Sequence, residues 1–587
     1  KQISVFQGKV TPLAEALNTI PDLKWVKESK DEKIRDLVKI SLVLEGMNRN
    51  ASTHAAGVVI APGPLQDYVP LYKTPQSELM TQYNMIDLED AGLLKMDFLG
   101  LRTLTIVKNA LRLIRESHGI EIELAAIPED DPKTFDLFGK GHTTGVFQFE
   151  SSGMKEWLRK LKPGSISDLT AMNALYRPGP MEMIGDFIGR KQGSQKIDYL
   201  HPKLEPILKE TYGVMVYQEQ VMKIASEVAG FSLAKADLMR RAMGKKDKAL
   251  MAKQKKEFID GAVGRGFTKK VAADIFDTIE RFASYGFNKS HSVAYSVLAY
   301  QTAYLKAHYP SDYMAAAISA EIGDTDYVVQ LVEECRKMDL RVLPPDVNES
   351  AVQFVVTPKG IRFGLSAIKN VGVSAVENIM KARAEEGPFE NIFDFCGRVD
   401  LRLVNKKTLE ALIEAGAFDE IDINRSRLFV CVEKAIQYGQ SAKSHSSKGQ
   451  SSLFEGAPAA KDRDRFPPLP AGVPWSESEK LAHEKSVLGF YVSGHPLRKY
   501  VVEINAVATA SFGNPSAVRS GTVVRIAGVV SAVKKRVEKK GNTMAFVTLE
   551  DQTGYLNVIV WRDLGERLGA VHGSAEREGD VVHGIAR

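Results

Sequence analysis

Between residues 33 and 44 the apolar positions Ile34, Leu37, Val38, Ile40 and Leu42 recur at mixed three- and four-residue steps, which predicts a helix with one face suited to packing on another. Residues 1 to about 50 read as helical on this pattern. The period then changes. A short β-rich run at 56–61 is closed by Pro62-Gly63-Pro64, and a second apolar run spans 92–101, so a sheet is expected between about 52 and 102. From about 103 to 345 the pattern is mostly helical, with long segments such as 293–308 bounded by Asn288 and Pro310. Residues 361–420 hold two short helical units around hairpin turns. Ser, Gly, Ala, Pro and charge dominate 437–475, the composition of a flexible linker. The last segment alternates cleanly in 523–530, 545–549 and 556–561, as three strands of a small antiparallel barrel of the OB type would. The expected fold is multidomain α+β.

One residue breaks the apolar pattern. Asp97 sits in the run Leu93-Leu94-Lys95-Met96-Asp97-Phe98-Leu99, and burying an unpaired carboxylate is costly, so the group is paired or holds a metal. In a strand Lys95 and Asp97 would project from the same face, with Met96 and Phe98 entering the core behind them. Spacing alone leaves two readings, an Asp/Lys ion pair at a sheet rim or a metal ligand beside a cation.

A chain of 587 residues is too long for one core and predicts several domains. Lys and Arg exceed Asp and Glu by only 78 − 73 = 5, so any affinity for nucleic acid has to come from local clusters. Residues 240–256 form such a cluster, with eight Lys or Arg (Arg240, Arg241, Lys245, Lys246, Lys248, Lys253, Lys255, Lys256) against one acid, Asp247. It reads either as a solvated helix face or as a phosphate-tracking surface. The basic hairpin Lys534, Lys535, Arg536, Lys539 and Lys540 favours nucleic-acid binding by the barrel over a spacer role. The turn Lys369-Asn370-Val371-Gly372 resembles a helix-hairpin-helix, in which backbone N–H groups hold a phosphate; plain helix packing gives the same pattern. In the linker, Gln450-Ser451-Ser452-Leu453-Phe454 strands two large apolar residues in a polar stretch, either as an anchor for a partner's pocket or as a contact back onto the preceding domain.

Cys335, Cys396 and Cys431 are far apart and form no CxxC, so neither a disulfide framework nor a zinc site is indicated. With no signal peptide and no apolar run of the ~18 residues a bilayer needs, a soluble cytoplasmic protein without a membrane partner is expected. No Walker A sequence, H-E-x-x-H or G-x-S-x-G occurs. The D-x-D pairs Asp324/Asp326 and Asp462/Asp464 read as structural, the first as the cap of a following helix. The chain starts at Lys1 and stops inside what reads as a continuing domain, so a fragment is expected.

Six ordered motifs carry a resemblance: Asn48-Arg49-Asn50-Ala51-Ser52-Thr53-His54-Ala55-Ala56-Gly57, Lys95-Met96-Asp97-Phe98-Leu99-Gly100-Leu101-Arg102, Gly145-Val146-Phe147-Gln148-Phe149-Glu150-Ser151, Tyr176-Arg177-Pro178-Gly179-Pro180, Arg240-Arg241-Ala242-Met243-Gly244-Lys245-Lys246 and Tyr285-Gly286-Phe287-Asn288-Lys289-Ser290-His291. From near residue 1 to 587 the chain resembles the replicative C-family DNA polymerases of bacteria, the polymerase III alpha subunits. The resemblance implies thumb (1–51), the end of a mixed-sheet palm (52–104), fingers (105–345), a helix-hairpin-helix and clamp-binding region (346–436), a linker with a clamp-binding peptide (437–475), a connector (476–515) and an OB domain (516–587). It implies template-directed DNA synthesis from deoxynucleotides by two-metal transfer, with two Mg²⁺ ions on three palm aspartates. Asp97 matches the third aspartate and Lys95 a palm lysine near the triphosphate. The other two aspartates would precede Lys1, so this piece alone is expected to be inactive.

By the same resemblance Arg240, Arg241, Lys289, His291 and Arg177 are candidates for the incoming nucleotide. Lys245, Lys246, Lys248, Lys369, Asn370, Gly372 and the barrel's basic residues are candidates for DNA. Gln450, Leu453 and Phe454 match the motif that binds the sliding clamp, the beta subunit. Primed template DNA, deoxynucleotides, the clamp, a clamp loader and a proofreading subunit are the implied partners. The alternative for the piece as it stands is a non-catalytic DNA- and clamp-binding module.

Overall fold

The computed structural model describes residues 5–6, 9–47, 53–54, 56–74, 78–245, 248–283, 286–447, 466–510, 512, 521–537, 543–551, 554–560 and 581–586. Its backbone divides into two units, Lys1–Arg102 with Ser167–Val293 and Thr103–Ile166 with Ala294–Arg587.

In the first unit a short antiparallel pair, Val5–Phe6 with Lys9–Val10, precedes the helices Leu13–Thr19, Pro21–Glu28 and Glu32–Leu44. The third helix starts where Asp31 accepts the Lys33 N–H at 2.9 Å, a local cap that needs no tertiary partner. Its periodic apolar face was expected to pack on another helix, and it does so in part: the helix meets Pro21–Glu28 and half-buries Ile34 and Val38, while Leu37, Ile40 and Val43 are exposed. These three lie on the part of its apolar side that no described residue buries.

The expected sheet is two antiparallel pairs, Gly57–Ile60 with Leu94–Asp97 and Leu71–Lys73 with Leu79–Thr81. In the first pair Gly57 lies opposite Asp97 and Val59 opposite Lys95, while Val58 lies opposite Met96 and Ile60 opposite Leu94. Alternation therefore gives the ribbon a face with Gly57, Val59, Lys95 and Asp97 and a face with Val58, Ile60, Leu94 and Met96. Val59 packs on the small core of Val69, Leu88 and Leu93. The expectation that Met96 and Phe98 enter the core is wrong: they are 43% and 67% exposed. The core lies on the Val59 side, and no second layer covers the other face among the described residues.

The helical part of this unit has a deep core, in which Ile224, Phe258, Phe276 and Ile279 are fully buried. Its frame is the helices Gln218–Ala229, Lys248–Val263 and Lys269–Ala283. Gly261 permits the closest approach, since a Cβ there would lie 2.3 Å from the Ala229 carbonyl oxygen.

The second unit contains helices Pro132–Lys140, Ser152–Leu161, Pro310–Ala320 and Thr325–Lys337. Asp324 caps the last by accepting the Tyr327 N–H at 3.1 Å, as its sequence position predicts. Lys306 is buried with its charge satisfied: Nζ donates to the carbonyls of His142 (2.7 Å) and Thr144 (2.9 Å) and to Glu334 Oε1 (2.6 Å). A three-stranded sheet orders Val342–Leu343, Gly360–Arg362 and Val355–Thr357 and leads to the helices Val373–Glu386, Ile392–Arg398 and Lys406–Glu414. The helix Arg425–Ser447 then continues eleven residues into the expected linker: no Pro intervenes before 448, and Gly439 lies within the helix, where it packs against the Cys396 backbone.

At the C-terminal end the strands Tyr555–Val560, Thr543–Glu550, Val524–Val537 and Val581–Ala586 form one antiparallel sheet in that order, open rather than a closed barrel among the described residues. No helix among the described residues is long and apolar enough to cross a membrane.

Candidate functional site

Two charged clusters in the first unit gather the residues assigned in the sequence to catalysis and to the incoming nucleotide. The first lies on the Gly57/Asp97 face of the ribbon. Cross-strand pairing places Asp97 opposite Gly57, and the Phe98 N–H donates to the Ala56 carbonyl at 2.8 Å, which fixes the end of the register. Lys95 Nζ donates to Asp97 Oδ1 at 2.7 Å. That hydrogen bond, with the charge of Lys95, holds the Asp97 carboxyl below the ordinary aspartate range, so it is an anion at neutral pH. Lys95 is the more enclosed partner and Asp97 the more open.

His54 enters the same cluster. Its Nδ1 accepts the N–H of Ala56 (3.1 Å) and of Gly57 (2.6 Å). A Cβ at Gly57 would meet His54 Nδ1 at 2.8 Å, Lys95 Cε at 2.8 Å and Asp97 Oδ1 at 3.0 Å. Three functional side chains thus meet over a residue with no side chain. Sequence reasoning quoted His54 and Gly57 without assigning either a role; the signal available was a histidine three residues before a glycine that opens a strand. Lys95 and Asp97 thus form an ion pair in which the carboxylate is the more exposed partner. Among the described residues no group of three or more His, Cys, Asp or Glu is placed to hold a metal ion, so a two-ion site cannot be assembled from them alone.

The second cluster surrounds a single parallel bridge between Tyr217 and Phe287. The Gln218 N–H donates to the Phe287 carbonyl at 2.9 Å, and Gln218 Nε2 to the Gly286 carbonyl at 3.0 Å. Arg240 reaches Gln218 Oε1 at 3.2 Å and Asp237 Oδ1 at 2.9 Å, while Arg241 takes Asp237 Oδ2 at 2.8 Å. The Arg240 hydrogen bond and the two positive charges keep Asp237 below its ordinary range. The Lys289 N–H donates to Glu219 (3.0 Å) and Nζ to Glu210 (2.7 Å). The Arg177 guanidinium lies 4.1 Å from the Phe287 ring centre, a cation–π contact, and burial lowers its pKa. The His291 ring packs edge-on to Phe287 at 5.3 Å. Arg177, Arg240, Lys289 and His291, spread over more than a hundred residues, are gathered at one bridge, and Arg241 joins through Asp237.

Lys245 ends the helix Leu233–Lys245 and Lys248 starts Lys248–Val263; Lys246 lies outside the described residues. In the second unit, Asn370 adopts a left-handed conformation (φ 69°), and its carbonyl accepts the Thr408 hydroxyl at 3.0 Å. Gly372 then begins the helix Val373–Glu386 without a side-chain cap, and Lys369, Asn370 and Gly372 are exposed. This is the geometry in which a helix start offers its N–H groups to an outside acceptor. Lys534, Lys535 and Arg536 lie in an arm of the expected hairpin rather than in its loop, within a fourteen-residue strand and paired to Phe546, Ala545 and Met544. Alternation simply continues through them after a bulge at Ser531. Lys539, Lys540, Gln450, Leu453 and Phe454 lie outside the described residues.

Comparison with known proteins matches residues 1–100 to the bacterial DNA polymerase III alpha NTPase domain and 103–266 to the finger domain of the same subunit. Residues 339–428 match a helix-hairpin-helix motif and 524–582 an OB-fold nucleic acid binding domain. The chain is 45% identical over 576 residues to the DNA polymerase III subunit alpha of Borreliella burgdorferi, covering 97% of this chain and 50% of that one. It is 45% identical to that of Thermus aquaticus (96% and 46%) and 45% identical to that of Pseudomonas aeruginosa (91% and 48%). The chain spans about half the length of the curated relatives it matches.

Proposed function

The chain belongs, over the residues it spans, to the bacterial DNA polymerase III alpha family, and from that premise we propose that it carries the nucleotide-binding and DNA-binding parts of a template-directed DNA polymerase. The single observation that carries this reading is the bridge cluster: four groups drawn from three separate motifs converge on Tyr217 and Phe287. Their partners, Glu210, Glu219 and Asp237, are exchangeable, and a nucleoside triphosphate would replace carboxylate oxygens with phosphate oxygens at little cost in geometry. Arg177 and His291 contribute fixed positions beside the ring, while Lys289 and Arg240 contribute charge.

In this reading Asp97 would be one of three carboxylates holding two Mg²⁺ ions, which would supply positive charge to the phosphates, and Lys95 would be a cation beside the triphosphate. No three ligating side chains among the described residues are placed to hold a metal ion, and in this reading the remaining ligands would come from outside them. The exposed face of Val58, Ile60, Leu94 and Met96 supports the same view, because an apolar ribbon face of this kind calls for a second layer. Primer extension by this chain with Mg²⁺ tests it: no synthesis is expected, and robust synthesis would overturn the claim of missing ligands.

As it stands the chain would then act as a DNA- and clamp-binding module. The helix start at Gly372 and the basic strand at Lys534 favour contacts to the DNA backbone. The peptide Gln450–Phe454 would tether the polymerase to the sliding clamp in the cytoplasm, with the clamp loader and proofreading subunit as further partners. Replacing Leu453 and Phe454 by Ala removes clamp-dependent processivity and spares single insertions; unchanged clamp affinity would make the segment a spacer.

A further inference from the structure

We propose that His54 and Gly57 form a positioning unit for the Lys95–Asp97 pair; the inference rests on the reading of Asp97 as a polymerase carboxylate. A side-chain acceptor that takes two amides, two and three residues ahead, recurs in this chain. Asn84 takes those of Ile86 (2.9 Å) and Asp87 (3.2 Å), and Asn391 those of Phe393 (2.9 Å) and Asp394 (3.0 Å). Both open helices. His54 takes the amides of Ala56 and Gly57 in the same pattern, but opens a strand, and that strand is the one paired to Asp97. The imidazole therefore fixes the direction in which the backbone enters the ribbon.

An imidazole acceptor is not in itself unusual here. His201 and His495 also cap, each through one amide, at 3.2 and 3.1 Å. His54 differs in holding two amides and in lying beside the carboxylate–lysine pair. With Nδ1 committed as acceptor, the ring proton resides on Nε2.

Gly57 completes the unit for a steric reason. Its backbone is in an ordinary strand that any residue could adopt, so conformation does not demand glycine. Space does: a methyl group would sit within 3.0 Å of His54 Nδ1, Lys95 Cε and Asp97 Oδ1 together. Any side chain at 57 would push Lys95 and Asp97 apart or force the ring from its amides. His54 is thus a positioning residue, and the hydrogen of Gly57 is the floor of the site.

The test uses the full-length polymerase subunit with Gly57→Ala, His54→Ala, His54→Asn and Asp97→Asn. For each, kcat and KM of single-nucleotide insertion, primer–template affinity and thermal midpoint are measured. Gly57→Ala and His54→Ala are expected to lower kcat by about 100-fold, the usual cost of an ångström-scale misplacement, with KM and primer–template affinity changed little. His54→Asn, which retains an acceptor for both amides, restores kcat to within about threefold of wild type. Wild-type kcat in His54→Ala overturns the positioning role. A folded His54→Asn as slow as His54→Ala also overturns it, and assigns the effect to Nε2–H instead. If Asp97→Asn stays active, the reading of Asp97 itself fails; if it is dead while His54→Ala and Gly57→Ala are normal, only this inference fails.

Discussion

The ribbon that bears Asp97 and the bridge that gathers Arg177, Arg240, Lys289 and His291 lie in the same unit but are built in opposite ways. The bridge stands among helices whose core buries Phe258, Phe276 and Ile279 completely; Arg240 and Arg241 meet Asp237 of their own helix, and Lys289 meets the distant Glu210. The ribbon has two strands, a core of three buried residues on one face and exposed apolar side chains on the other. Charge is positioned by a deep core in one case and by cross-strand register plus a histidine cap in the other. A site of the first kind is complete in its supports. A site of the second kind depends on whatever covers its open face.

The largest expected effect is on the ribbon. In the full-length subunit Asp97→Asn lowers synthesis by about 1,000-fold or more, since a carboxylate that holds a catalytic metal is worth several kcal/mol, while duplex affinity by titration is spared. Near-normal extension would reduce the ribbon to a surface ion pair and erase its difference from any other rim. Next comes packing. Phe258→Ala in this chain costs about 3–5 kcal/mol of stability, as expected for a fully buried ring, whereas Met96→Ala stays within about 0.5 kcal/mol, both read by denaturant unfolding. A large loss for Met96→Ala would mean that the ribbon face is covered after all.

At the bridge, Lys289→Ala raises the KM for deoxynucleotide by about 10- to 100-fold, the range of a charge-assisted hydrogen bond, with kcat less affected. An unchanged KM would leave Lys289 as a structural partner of Glu210 and Glu219. The smallest effect concerns salt: neutralising Lys245, Lys246 and Lys248 reduces the slope of log affinity against log salt by about one per lost phosphate contact. An unaltered slope returns that segment to a solvated helix face. Acid pH separates little at the ribbon. The Asp97 pKa is depressed on folding, so the ion pair contributes above the ordinary 3.8 and is lost only as pH falls below it.

Local signals in the sequence accounted for a good part of the architecture. The cap at Asp324, the helix ahead of Pro310 and the alternation of the C-terminal strands each depend on neighbours within a few residues, so periodicity and capping chemistry reveal them. The motifs also named the charged residues. Periodicity could not tell which face of 94–97 is inward, because Lys95 and Met96 alternate identically whichever side the core occupies. Nor did it separate a basic loop from a basic strand at 534–536, where a bulge at Ser531 lets the ladder run on.

The sequence by itself determined which residue types are available and the family to which their order belongs: an aspartate beside a lysine, five basic or imidazole groups, a hairpin turn before Val373. Only the tertiary structure decided that Gly57 faces Asp97 with His54 holding its amide, and that Arg177, Arg240, Lys289 and His291 share one bridge. The physical reason is range. Caps and periodicity act over a single turn or strand, whereas register between 57 and 97, and contact between 177 and 287, are set by cores assembled from distant segments.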